Sequence, residues 1–93
     1  MKFEFIDVQW LHSFKDEPTR IVSQLDALRK EIRKLEFFRS GIVGYAYDKH
    51  ATHGTIVGTV PIPSLSEINA DPQFAGVLMF ESEFEALWSR YVF

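Results

Sequence analysis

Ile6, Val8, Trp10 and His12 occupy alternate positions of "FIDVQWLH", with Asp7 and Gln9 between them, a period of two that predicts a half-buried strand. The polar stretch "SFKDEPT" (13–19) predicts a turn, since Pro18 forces Glu17 toward extended geometry. "RIVSQL" (20–25) then reads as a second short strand. The next segment carries two periods at once. Leu25, Leu28, Ile32 and Leu35 step by 3, 4 and 3, the spacing of a buried helix face. Against that, Leu35 and Phe37 alternate with Lys34, Glu36 and Phe38, and "RSG" followed by "IVGYAYD" is a three-residue hairpin loop with a glycine free to take positive φ. The hairpin reading predicts a turn near "DALRK" and strands over 31–38 and 42–48.

Beyond it, "DKHATHGT" (48–55) reads as a polar surface loop, and "GTIVGTVPIP" (54–63), with two glycines and two prolines, as a crossing loop with at most a short bridge. Two S-x-x-E stretches, "SLSE" (64–67) and "SEFE" (82–85), predict helix starts by the capping box. The first helix is short, because Pro72 disfavours helix at Asp71. In the second, Phe84, Leu87, Trp88 and Tyr91 form one apolar face, opposite Glu83, Glu85 and Arg90. The expected architecture is a single α+β domain over 1–93, an antiparallel meander of three to four strands with the C-terminal helices packed on one face.

The chain has 93 residues, of which 46% are hydrophobic and nine are phenylalanine, enough for one core. It has no cysteine, which excludes disulfides, thiolate metal sites and a cysteine nucleophile, and fits a reducing compartment. "MKFEFIDVQW" is interrupted by Glu4 and Asp7 and lacks the apolar core of a signal peptide. No apolar run approaches the roughly 20 residues of a membrane span, so a cytoplasmic protein without membrane contact is expected. Charge is uneven. Residues 1–40 carry eight Lys/Arg against seven Asp/Glu, whereas 41–93 carry two against six. Nucleic acid is therefore a poor partner: the one basic stretch, Arg29, Lys30, Arg33 and Lys34, is interrupted by Glu31 and flanked by Asp26 and Glu36.

The motifs "WLH" (10–12), "DEP" (16–18), "IRKLEFFRSG" (32–41), "PIPSLSEINADPQF" (61–74) and "EFEALW" (83–88), in that order, resemble a family of short acidic bacterial proteins classed as a domain of unknown function. The resemblance covers almost the whole chain. It supports strand over 31–38, where relatives alternate valines, and it implies no reaction or ligand. "DKHATH" departs from the family pattern, in which acidic and glycine residues are common at that point. Small acidic bacterial domains of this type are associated with immunity and antitoxin roles.

His50 and His53, in H-x-x-H spacing near Asp48, have imidazole and carboxylate chemistry but no helical frame or third rigid ligand, so no metal site is expected. No phosphate loop, G-x-S-x-G elbow or other cofactor signature is present, and no cofactor is expected. The leading expectation is a non-catalytic protein-binding module of the immunity or antitoxin kind. Its surface would combine Asp16, Glu17, Glu36, Tyr45, Tyr47 and Asp48 and meet a basic protein partner. Tyr45 and Tyr47 share a face with Val43 and would form an exposed patch if the helices covered the other face. The rival is a small enzyme or ligand site built from Trp10, His12 and Arg33 with a carboxylate from Asp16 or Glu17; Arg33, on the face of Leu35 and Phe37, needs such a partner, with Glu17 or Asp26 as candidates. Self-association through an edge strand or the terminal "YVF" is left open.

Overall fold

A computed structural model describes residues 2–92; Phe93 of the terminal "YVF" lies outside them. Six strands, β1 (Glu4–Trp10), β2 (Pro18–Leu25), β3 (Glu31–Phe38), β4 (Val43–Tyr47), β5 (His50–Ala51) and β6 (Phe74–Leu78), form one antiparallel sheet in the order β5-β4-β3-β2-β1-β6. Two helices accompany them, α1 (Leu65–Ala70) and α2 (Glu81–Tyr91). The class is the expected α+β, but the sheet has six strands where three or four were expected. The two additional ones are the two-residue β5, in the stretch read as loop, and β6, which follows α1 and returns to pair with β1 (Val8 with Gly76).

Between β2 and β3 the hairpin alternation prevails over the helical spacing. The Asp26 carboxylate accepts from the Leu28 and Lys30 amides at 2.9 Å each, and Arg29 takes φ 62°, so the chain turns at the "DALRK" segment. The β3–β4 loop is the expected Arg39–Ser40–Gly41, with Gly41 at φ 95°.

Strand alternation sends Phe5, Val22 and Leu35 to one face, where Phe84 of α2 joins them. Ile6, Val8 and Leu25 point to the other face, under Leu65 and Ile68 of α1 and Ile62 of the connecting loop. The helices therefore pack on opposite faces of the sheet, not together on one. Val22, Leu25, Leu35 and Phe84 are fully buried, each stabilising the fold by about 1.5–3 kcal/mol. The cause is visible in the pattern: β1 and β2 have apolar residues at odd and even positions alike, so neither face suits water.

α1 is capped as expected, its Glu67 amide donating to the Ser64 hydroxyl. α2 starts earlier than "SEFE" implied: Phe80 is the cap residue, and Glu83 reaches back to accept from the Phe80 amide at 2.9 Å.

Candidate functional site

The loop 52–63 straps the α1 face of the sheet, and three of its groups hold charged side chains of β3 beneath it. Thr55 is fully buried and donates its hydroxyl to Glu36 Oε1 at 2.8 Å. The Gly58 amide donates to Glu31 Oε1 at 2.7 Å. The Ile56 carbonyl accepts from Lys34 Nζ at 3.2 Å. Lys34 Nζ also lies 3.3 Å from Glu31 Oε1 and 3.7 Å from Glu36 Oε2, and the Ser23 hydroxyl donates to Glu31 Oε2 at 3.4 Å. The Glu31 side chain is 3% exposed, and those of Lys34 and Glu36 15% each. A buried carboxylate needs such partners, because desolvation alone would cost several kcal/mol per ion.

Beside this network a cleft of about 490 Å³ opens between the sheet, the strap and α1. Ile6, Val8, Ile21, Ile62, Ile68 and Phe74 form its walls. Ser23, Glu31 and Lys34 line it from β2 and β3, and Glu67 and Asp71 line it from α1 and its C-cap. The polar groups suit binding better than reaction. Ser23 and Thr55 are 2% and 0% exposed, so neither hydroxyl is open to a substrate carbonyl, and the ammonium of Lys34 is committed to its three oxygen neighbours.

The residues singled out from the sequence are not gathered at one place. His12 closes the β1–β2 loop: Nδ1 accepts from the Phe14 amide at 2.9 Å, which leaves Nε2 as the donor to the Pro18 carbonyl at 2.7 Å. Trp10 points to the α1 face, stacks on Phe74 and meets the His12 ring at a tilt of 57°. Arg33 points to the α2 face at the other end of β3, so Trp10, His12 and Arg33 do not converge. The carboxylate that Arg33 needs is neither Glu17 nor Asp26 but Glu85, bonded through both guanidinium ends at 3.0 and 2.6 Å, with Gln24 at 2.6 Å. Its plane lies over Phe84 and Trp88. This bond holds the Glu85 carboxyl below the usual carboxylate range, and the paired Asp7 likewise raises Arg20 above its ordinary value.

Tyr45 and Tyr47 are not an open aromatic patch, because α2 covers their face and Trp88 meets both edge-on, at 6.1 and 5.5 Å. Glu36 belongs to the opposite face. Asp16 and Glu17 are exposed beside the Phe38 end of β3, and Asp48, with φ 50°, is exposed at the β4–β5 turn beside its Arg33 end. His50 stacks on Tyr47 and His53 is exposed; among the described residues no three His, Asp or Glu side chains converge as metal ligands. Of the basic stretch, Arg29 pairs with Glu4, Arg33 with Glu85 and Lys34 with Glu31.

The model of the family described as "Domain of unknown function (DUF6881)" matches residues 4–93. The chain belongs to this family. No curated protein and no solved structure matches it. Membership in DUF6881 brings no reaction or ligand with it, so a functional reading rests on the arrangement of the side chains. No helix among the described residues is long and apolar enough to cross a membrane.

Proposed function

We propose that the chain is a non-catalytic protein-binding module, of the immunity or antitoxin kind, that engages a basic partner. The observation that carries this reading is the surface around the β6 edge of the sheet. Exposed Glu81 lies beside Leu78 and Phe80, and exposed Glu83 beside Val77 and Leu78; the three apolar residues are 60% (Val77), 63% (Leu78) and 76% (Phe80) exposed. From His50 to Ser89 the chain has five carboxylates and no Lys or Arg; of the cations that reach these grooves from elsewhere, Arg20 and Arg29 are paired with Asp7 and Glu4, and Lys2 and Arg90 stand at the margins. Large apolar side chains beside Glu81 and Glu83 suit a complementary basic protein, with the carboxylates steering encounter and the apolar side chains supplying buried area. Asp16, Glu17 and Asp48 lie outside this surface; Glu36, Tyr45 and Tyr47 are engaged within the fold.

The test is affinity capture from the native lysate, with the product of the neighbouring gene included, followed by association kinetics. One stoichiometric basic protein should be recovered, and reversal at Glu81 and Glu83 should slow association by about tenfold at low salt. Reversal at Asp16, Glu17 and Asp48 should change it little. If the second set slows association and the first does not, the surface is the one expected from the sequence and the β6 edge is not the interface.

A further inference from the structure

The cleft on the α1 face is a second acidic feature, and its chemistry says which part of a basic partner it would take. We infer that it is a pocket for one lysine or arginine side chain, an inference that rests on the basic-partner reading above. The six apolar walls would take the aliphatic stem. The head would meet Glu67 and Asp71, neither of which forms an ion pair among the described residues. One oxygen of each is used locally: Glu67 Oε1 accepts from Ser64 at 3.1 Å and Asp71 Oδ1 from the Gln73 amide at 2.9 Å. The second oxygen of each is left for an incoming donor. Deeper in, Glu31 is nearly fully buried, and its Oε2 has only the long 3.4 Å contact with Ser23.

Other occupants fit worse. An anion would meet Glu31, Glu67 and Asp71, with Lys34 already spent on Glu31, Glu36 and Ile56. A purely apolar group would strip water from Glu67 and Asp71 without replacing it. Nor is this the place for an added strand. At the middle of the β6 edge, Asn69 of α1 covers the outward backbone of Gly76, its Oδ1 accepting from the Gly76 amide at 2.6 Å and its Nδ2 donating to the Gly76 carbonyl at 2.9 Å. Strand addition across that position is blocked, so the partner is read here through an inserted side chain.

The experiment is a two-dimensional ¹H–¹⁵N titration of the whole chain with acetyl-Gly-Xaa-Gly-amide peptides, where Xaa is arginine, lysine, norleucine or glutamate. Arginine and lysine peptides should give saturable shifts at Ile62, Ile68 and Phe74. The Glu67→Gln/Asp71→Asn variant, which keeps the local hydrogen bonds, should weaken them about tenfold, whereas Glu81→Gln/Glu83→Gln should not. Equal binding of the norleucine peptide, tighter binding of the glutamate peptide, or no saturable shift would each overturn the inference. The two readings fail separately. A captured basic partner sensitive to Glu81 and Glu83 with no peptide binding leaves the module and removes the pocket; saturable arginine binding with no basic partner does the reverse.

Discussion

Gly44 is the position where one methyl group should do the most damage. It lies on β4 opposite Glu36, and its φ is not the left-handed kind; what it provides is room. A Cβ there would stand 2.2 Å from Thr55 Oγ1 and 3.1 Å from the Thr52 carbonyl. The first distance is more than 1 Å inside the roughly 3.5 Å of an optimal nonbonded contact. Thr55 is fully buried and cannot swing away, so the strap must lift. Overpacking of this kind costs about 1–3 kcal/mol, and losing the Thr55 hydrogen bond to a carboxylate about 1.5–3 kcal/mol. Restricting the unfolded chain returns about 0.4–1 kcal/mol. Gly44→Ala is therefore expected to destabilise by about 2–5 kcal/mol, a large part of the roughly 5–14 kcal/mol that a chain of this length has in total. Urea unfolding followed by Trp10 and Trp88 fluorescence measures it. In a Thr55→Ala background the obstructing oxygen is gone, and the cost of Gly44→Ala should fall below about 1.5 kcal/mol. A loss under about 1 kcal/mol in the single variant, or no relief in the double one, would refute the close-approach argument.

Lys34→Met should cost about 3–5 kcal/mol in the same assay by stranding Glu31 and Glu36, and adding Glu36→Gln should recover part of it; no loss would mean the buried charges are not coupled. Asn69→Ala removes both hydrogen bonds to Gly76 and should cost about 1–2 kcal/mol. It should also raise self-association above the wild type's in sedimentation, since the edge is opened. The depressed Glu85 carboxyl contributes stability that is present above the ordinary carboxylate value and lost as pH falls through its own lower value. The stability gap between wild type and Glu85→Gln, below about 1 kcal/mol for a side chain 45% exposed, should thus narrow between about pH 6 and about pH 3; a gap that does not move would contradict the pairing.

The strands that alternate or turn through recognised chemistry were legible. Leu35 and Phe37, the "RSG" loop and the Asp26 turn place β3 and β4 correctly, even against a helical spacing. β6 was not legible: "FAGVL" is five residues long with a glycine at its centre, and what makes it a strand is pairing with β1 at the other end of the chain. The site was missed for a related reason. Reading Arg33, Leu35 and Phe37 as the covered face left Lys34 and Glu36 to solvent, yet the strap covers them. A signal for that was present in "GTIVGT", where a threonine stands next to a glycine and a second glycine follows, because backbone this close to a sheet needs small residues; it does not say which strand lies beneath. Arg33 was rightly assigned a carboxylate, but naming Glu85 required knowing that α2 crosses β3.

The sheet order also sets the entropic cost of each strand pairing. β1 to β4 are joined by short loops and pair with their neighbours in the chain, so their contacts close at little entropic cost. β6 is joined to the rest of the sheet through the strap and α1 and pairs with β1 at the other end of the chain, so this pairing closes the longest loop. Without it β1 is the outer strand, with Ile6 and Val8 uncovered and its hydrogen-bonding groups open. A state in which β6 has left β1 exposes that edge, and it is the state expected to be most prone to aggregate. The cleft and the β6 surface both depend on this distant pairing, so a chain that loses it loses both features together.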